Sequence, residues 1–349
     1  MQITASEKRM VNGDGSINQL APLKYKWAWD AYQASFKNNW GPDAINMAQD
    51  VTDYRLSLND AERHVYTMVL AYLSTADIAA LRNVGVAVME KITSPEVQTY
   101  LAMQIKEEAV HVATYQHCLE TLNLDPIDIY NRYRTVPEIA AKIEYSRKML
   151  RAATDKDIDL TEKSDLIAFC KSYIFFCAIF EGVWFYNGFS PVYSLQRRGL
   201  MKGTCEQFQY IQRDEMNHVI NGMRIVKTIM EEEGVVVPAD EIQAMFEETI
   251  RLETDYINML LVNPILGYTA DDHIEHSKFL CNRRAKKLGF KEPFPNAKMT
   301  LDWLDGQVNI NKEKNFFETR VTEYQTVGVG EMFTGYVKKA VSDILNWRK

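Results

Sequence analysis

Apolar residues recur along this chain at helical spacing almost throughout, and no stretch shows the alternation expected of a strand. One long pattern takes in Val65, Met68, Leu70, Tyr72, Leu73, Ile78 and Leu81. Ser57, with Asp60 three residues on, resembles a capping box that opens it. Ser94-Pro95-Glu96 predicts a second start, a capping serine with proline at the first helical position, and that helix runs to about Asn123. Asp125-Pro126 marks a boundary, one or two helices fill the stretch to about Ala153, and a charged connector covers Thr154 to Glu162. An aromatic-rich helix from about Lys163 to Leu195 follows, closed by Gly199 and Gly203. Further helices are predicted over Cys205 to Glu233, Ala239 to about Leu261, and Ala270 to Leu288. The expected fold class is all-α.

Composition narrows the class. With 349 residues and 46% hydrophobic content, the chain can fill one large core. Its net charge of −7 argues against a nucleic-acid footprint, which needs a basic patch. No basic segment precedes an apolar stretch at the N-terminus, so no signal peptide is expected. The most apolar run, Tyr173 to Phe189, is short for a membrane span and has Glu181 in its middle. The five cysteines (Cys118, Cys170, Cys177, Cys205 and Cys281) are scattered and odd in number, which predicts reduced thiols in a cytoplasmic protein.

Two units of the form Glu-x-x-His, Glu108 with His111 and Glu215 with His218, change the picture most. Residues three apart on a helix share a face, so each unit aims a carboxylate and an imidazole at one point. Each follows a lone carboxylate in an apolar helix, Asp77 before the first and Glu181 before the second. A buried unpaired carboxylate costs several kcal/mol or stays protonated; a divalent metal relieves that cost, and a buried arginine is the competing partner for Glu181. Four acids and two histidines form a ligand set for two metal ions between four helices, as in ferritin-like bundles. Ligation rich in oxygen, with only two imidazoles, suits iron or manganese better than structural zinc. His64, His117 and the pair His273 and His276 lack matching partners and read as ordinary packed or surface residues.

The chain resembles the small, radical-generating beta subunit of class I ribonucleotide reductase from about Val11 through Tyr324. The resemblance rests on Leu23-Lys24-Tyr25-Lys26-Trp27-Ala28-Trp29, Ser74-Thr75-Ala76-Asp77, Glu107-Glu108-Ala109-Val110-His111, Arg213-Asp214-Glu215 and Asn315-Phe316-Phe317-Glu318-Thr319-Arg320-Val321. It implies a ferritin-like helical bundle with additional helices, a single domain over 1–325, and a homodimer. It makes Asp77, Glu108 and His111 one half of a dinuclear cluster and Glu181, Glu215 and His218 the other. Tyr115, one turn beyond His111, stands where the family's radical tyrosine stands, and Phe185, Phe189 and Ile211 match its apolar shell. Some relatives lack this tyrosine and hold manganese–iron, often with Glu at the first ligand position. Asp77 with Tyr115 therefore favours two irons, while Mn/Fe and Mn/Mn stay open.

The same resemblance implies an exit path. Trp40 and Asp214 match the family's route for the oxidising equivalent, with Asp214 bonded to His111, and Tyr324 matches the mobile tyrosine that passes it to the large (alpha) subunit. That partner would then reduce ribonucleotides to deoxyribonucleotides. The segment 326–349 carries Phe333, Val337, Val341, Ile344 and Leu345 at amphipathic spacing and is expected to dock on the partner. The alternative is a ferritin-like oxidase or oxygenase that uses the same cluster on a small molecule and has no use for Trp40, Asp214 and Tyr324. Iron storage is the more distant alternative.

Overall fold

The computed structural model describes residues 4–16, 19–20 and 22–304. Tyr324, the Asn315–Val321 motif and the 326–349 segment lie outside the described residues. The chain divides into two compact units, Met1–Asp302 and Trp303–Lys349, and all described helices of the site lie in the first. Among the described residues there is no strand, only an isolated bridge between Ile265 and Tyr268.

We number the longer helices α1 (Lys26–Lys37), α2 (Asp60–Arg82), α3 (Pro95–Leu122), α4 (Pro126–Thr135), α5 (Pro137–Met149) and α6 (Lys163–Ile174). Then follow α7 (Ser190–Gln196), α8 (Lys202–Glu233), α9 (Ala239–Leu260) and α10 (Ala270–Leu288). Helix α6 continues into a π-helical stretch, Phe175–Phe185, that carries Glu181. Helix α2 packs on α3, and α8 packs on the π-helical stretch and on α3, so the four carriers of the predicted ligands form one bundle.

Local signals placed most ends well. Asn123 takes the left-handed conformation that closes α3, and Gly234 does the same for α8. The start of α2 corrects the capping box expected at Ser57. Asn59 is the cap: its side chain accepts from the Glu62 N–H at 3.0 Å, and Glu62 accepts from the Asn59 N–H at 3.0 Å. Ser57 instead closes a preceding π-helical turn, Asp53–Ser57, so the reciprocal pairing two residues later prevails. Helix α8 starts three residues before the expected Cys205. Asp50 accepts from the N–H groups of Gly203 and Thr204 at 2.9 and 2.6 Å, which satisfies free donors at the helix N-terminus from a distant segment.

Close approach of two helices sets the centre of the bundle. A Cβ on Gly222 of α8 would lie 2.5 Å from Cys177 Cβ in the π-helical stretch, so only glycine permits this spacing. That contact draws Glu181 toward Glu215 and His218. The helical segments Asp60–Lys91 and Lys163–Gln196 are apolar and long enough to cross a membrane by composition alone. Their most apolar windows are 67% and 83% buried inside the protein, however, and they carry Asp77 and Glu181, which marks them as core helices.

Candidate metal centre

Asp77 (α2), Glu108 and His111 (α3), Glu181 (π-helical stretch), and Glu215 and His218 (α8) meet in the bundle core, each no more than 1% exposed. Their ligand atoms fall into two groups, each with all atoms within 4.8 Å of one another: Asp77, Glu108, His111 and Glu215, and Glu108, Glu181, Glu215 and His218. Both glutamates of the Glu-x-x-His units therefore belong to both groups. Glu108 turns Oε2 to His111 Nδ1 (3.5 Å) and Oε1 to His218 Nδ1 (3.2 Å). Glu215 does the reverse, with Oε1 at 3.2 Å from His111 Nδ1 and Oε2 at 3.5 Å from His218 Nδ1. Each group contains one of the two halves that the resemblance implies, together with the other repeat's glutamate, with Asp77 on one side and Glu181 on the other.

Outer carboxylates fix both imidazoles. His111 Nε2 donates to Asp214 Oδ2 at 3.5 Å, and His218 Nε2 donates to Glu107 Oε2 at 2.9 Å. Each bond sets the tautomer that leaves Nδ1 as the inward lone pair. Sequence reasoning assigned no role to Glu107, although the signal was there. An acid precedes the glutamate in both repeats, Glu107-Glu108 and Asp214-Glu215, and each acid holds the other repeat's histidine.

The donor set fits two divalent ions. Both oxygens of Asp77 and of Glu108, Oε2 of Glu181 and of Glu215, and Nδ1 of both histidines are buried without a hydrogen-bond partner. Groups of this kind are stable in a core only when something charged lies between them. Four carboxylates with two neutral imidazoles would balance two 2+ charges. Burial pushes the Asp77 and Glu181 carboxyls well above the ordinary range. Burial also works against ionised Glu108, but the imidazoles of His111 and His218 beside it outweigh burial and lower that carboxyl to about 2. Arginine, the competing partner for Glu181, is placed elsewhere. Arg284 donates to the Gly182 carbonyl at 3.0 Å, while Glu181 Oε1 accepts from Gln104 at 2.8 Å.

Tyr115 lies on the same face of α3 as His111 and is fully buried. Burial, then the neighbouring Asp77 carboxylate, hold its phenol protonated. The ring that meets it edge-on is Phe208, 5.9 Å away and itself 5.2 Å from Phe189; Phe208 was not singled out in the sequence. Phe185, Phe189 and Ile211 are all fully buried. Trp40 donates its indole N–H to Asp214 Oδ2 at 2.6 Å, the oxygen that also receives His111. Arg213 occupies the other Asp214 oxygen at 3.0 Å, and the half-buried Tyr210 stacks on Trp40 at 5.3 Å. His273 and His276 stay away from the centre, and His273 donates to Glu253 at 2.6 Å.

Residues 17–300 match the family "Ribonucleotide reductase, small chain". This chain belongs to that family. The ribonucleoside-diphosphate reductase subunit beta of Chlamydia pneumoniae is 36% identical over 332 residues, covering 94% of this chain and 96% of the relative. The small subunit of Dictyostelium discoideum is 27% identical, covering 89% and 87% of the two chains. The ribonucleotide reductase R2 subunit from Clostridium botulinum superposes with a TM-score of 0.77 at 25% identity, over 86% of this chain and 94% of that one. The ferritin-like helical fold expected from sequence is thus the fold of this small-chain family.

Proposed function

We propose that this chain generates and exports a radical as the small subunit of a ribonucleoside-diphosphate reductase, acting as a homodimer beside the large subunit. Asp77, Glu108, His111, Glu181, Glu215 and His218 would hold two metal ions. The pair, when bound, supplies the oxidising equivalent by activating dioxygen. Iron–iron is the pair we favour because Asp77 and Tyr115 occur together, and the oxygen-rich donor set also suits Mn/Fe or Mn/Mn.

The chain's own residues then do three things. Tyr115 gives up one electron and the proton on Oη and stores the equivalent, with Phe208 and Phe189 keeping water away. Asp214 accepts hydrogen bonds from both His111 and Trp40, so it orients a metal-binding imidazole and receives the indole proton when Trp40 is oxidised. Tyr324, outside the described residues, would pass the equivalent to the large subunit, where ribonucleotides are reduced. The observation that carries this reading is the single Asp214 oxygen shared by His111 and Trp40. An oxidase that acts on a bound small molecule has no need of that link.

The test is metal analysis with electron paramagnetic resonance on protein reconstituted with iron, manganese or both under oxygen. A tyrosyl signal is expected, and Tyr115→Phe is expected to abolish it without lowering metal content. No organic radical with any metal, together with no stimulation of a cognate large subunit, would sink the proposal.

A further inference from the structure

Lys142 on α5 is fully buried, and neither the metal centre nor the Trp40 path uses it. Its ammonium sits 3.8 Å from the ring centre of Tyr72, 4.3 Å from Tyr256 and 4.6 Å from Trp184. Glu253 pairs with it at 2.6 Å and also accepts from His273, which continues to Tyr268. Burial draws the Lys142 pKa below its ordinary value, and Glu253 opposes that change. Burial works to raise the Glu253 carboxyl, but Lys142 and His273 hold it at about 2. A methionine would fill the space at lower cost, so the charge itself calls for an explanation.

The three rings sit on helices that also carry or pack against the candidate ligands, and Tyr72 is close enough to Asp77 to feel its charge. Tyr72 precedes Asp77 by five residues on α2, about 7.5 Å along the helix axis. Trp184 follows Glu181 by three residues in the π-helical stretch. Tyr72 and Tyr256 are 5.2 Å apart, and the half-buried Tyr145 is 6.3 Å from Trp184. These rings would make an outlet for an oxidising equivalent that includes neither Tyr115 nor Trp40. They also lack what Trp40 has: the hydroxyls of Tyr72 and Tyr256 and the indole nitrogen of Trp184 have no hydrogen-bond partner among the described residues. A ring that loses an electron without a proton acceptor becomes a radical cation. An ammonium against its face then turns a favourable cation–π contact into repulsion.

We propose that Lys142 determines the direction of oxidation by keeping Tyr72, Tyr256 and Trp184 reduced. This rests on the function proposed above. The step it suppresses is loss of one electron from a ring to the dioxygen-oxidised metal pair. The electron would go to the bound pair, and the ring would keep its proton as a radical cation. Among the described residues Lys142 bonds neither the candidate ligands nor Trp40 and Asp214, so it acts as a positioning charge.

The experiment uses full-length protein loaded with ferrous iron, exposed to oxygen, freeze-quenched and read by electron paramagnetic resonance with ring-deuterated tryptophan or tyrosine. The main variant is Lys142→Met with Glu253→Gln, which removes charge and counter-charge together. Ring radicals other than Tyr115 should rise at least about tenfold over the parent and fall again when Trp184→Phe and Tyr72→Phe are added. Lys142→Arg, which keeps the cation, should restore the parent pattern. If the double variant does not fold, Lys142→Gln, which keeps a donor for Glu253, carries the same expectation. A folded, fully metallated, charge-free variant with the parent's radical distribution overturns the inference alone. A parent that gives no radical with oxygen after loading with iron, manganese or both, and does not stimulate a cognate large subunit, overturns the proposed function and this inference with it.

Discussion

The two halves of the candidate centre share a plan and differ in their outer neighbours. Each half has one terminal carboxylate, one imidazole held from behind by the other repeat's acid, and both shared glutamates. On the His111 side, the outer acid is Asp214, and it lies against Trp40 and Arg213. On the His218 side, the outer acid is Glu107, only 3% exposed, and among the described residues no aromatic side chain donates to it. The terminal ligands differ too. Asp77 neighbours Tyr115, whereas Glu181 takes a hydrogen bond from Gln104 within π-helical backbone, a geometry that recurs at functional sites. Duplicated ligand geometry can bind two ions symmetrically. A direction for electron flow has to come from what stands behind the ligands.

The strongest way to break the comparison is to remove what the halves share. Glu108→Ala should strip both, taking metal content from about two ions per chain to nearly none, while Asp77→Ala should leave the Glu181 side occupied. Metal analysis after equilibration with a chelator checks this, and equal losses would mean that the halves are not separable. The next effect sets the pH window for such work. The Glu253 carboxyl is depressed in the folded state from an ordinary 4.5 to about 2. Its contribution is therefore present above pH 4.5 and is lost as pH falls toward 2, and at full strength it amounts to roughly 3 kcal/mol. Thermal melts between pH 6 and pH 3 should show this loss, and Glu253→Gln should flatten that part of the curve despite a lower starting stability.

Asp214→Asn and Glu107→Gln sharpen the comparison. Each should weaken metal binding about 10–100-fold, because each frees a ligating histidine. Only Asp214→Asn should also impair radical transfer once metal is restored to saturation, and Trp40→Phe should abolish turnover with the large subunit at unchanged metal content. Equal turnover defects in the Glu107 and Asp214 variants would erase the proposed asymmetry. The smallest effect is a baseline: Asn59→Ala should cost about 1 kcal/mol of stability through the lost cap and leave metal content untouched.

Much of this was legible in the residues. Asp77 and Glu181 in apolar helices, with two Glu-x-x-His units, pointed to six side chains that do converge. Trp40 and Asp214, singled out by resemblance, do meet. Less legible were Glu107, Gln104, Phe208 and Lys142. A glutamate beside another glutamate, or a lysine on an amphipathic helix, looks like solvated surface until a partner far away in sequence covers it. The capping box at Ser57 misled because two overlapping motifs competed, and only the chain path upstream chose Asn59.

Sequence alone determined whatever depends on neighbours along one helix. Helical periodicity and the shared face of Glu108 with His111 and Glu215 with His218 follow from geometry repeated every few residues. Tertiary structure alone decided that each shared glutamate faces both imidazoles, that each outer acid grips the opposite repeat's histidine, and that Trp40 rather than Trp184 received a carboxylate. Those contacts join residues that the chain keeps far apart, and they exist only where Gly222 lets two helices close on one another.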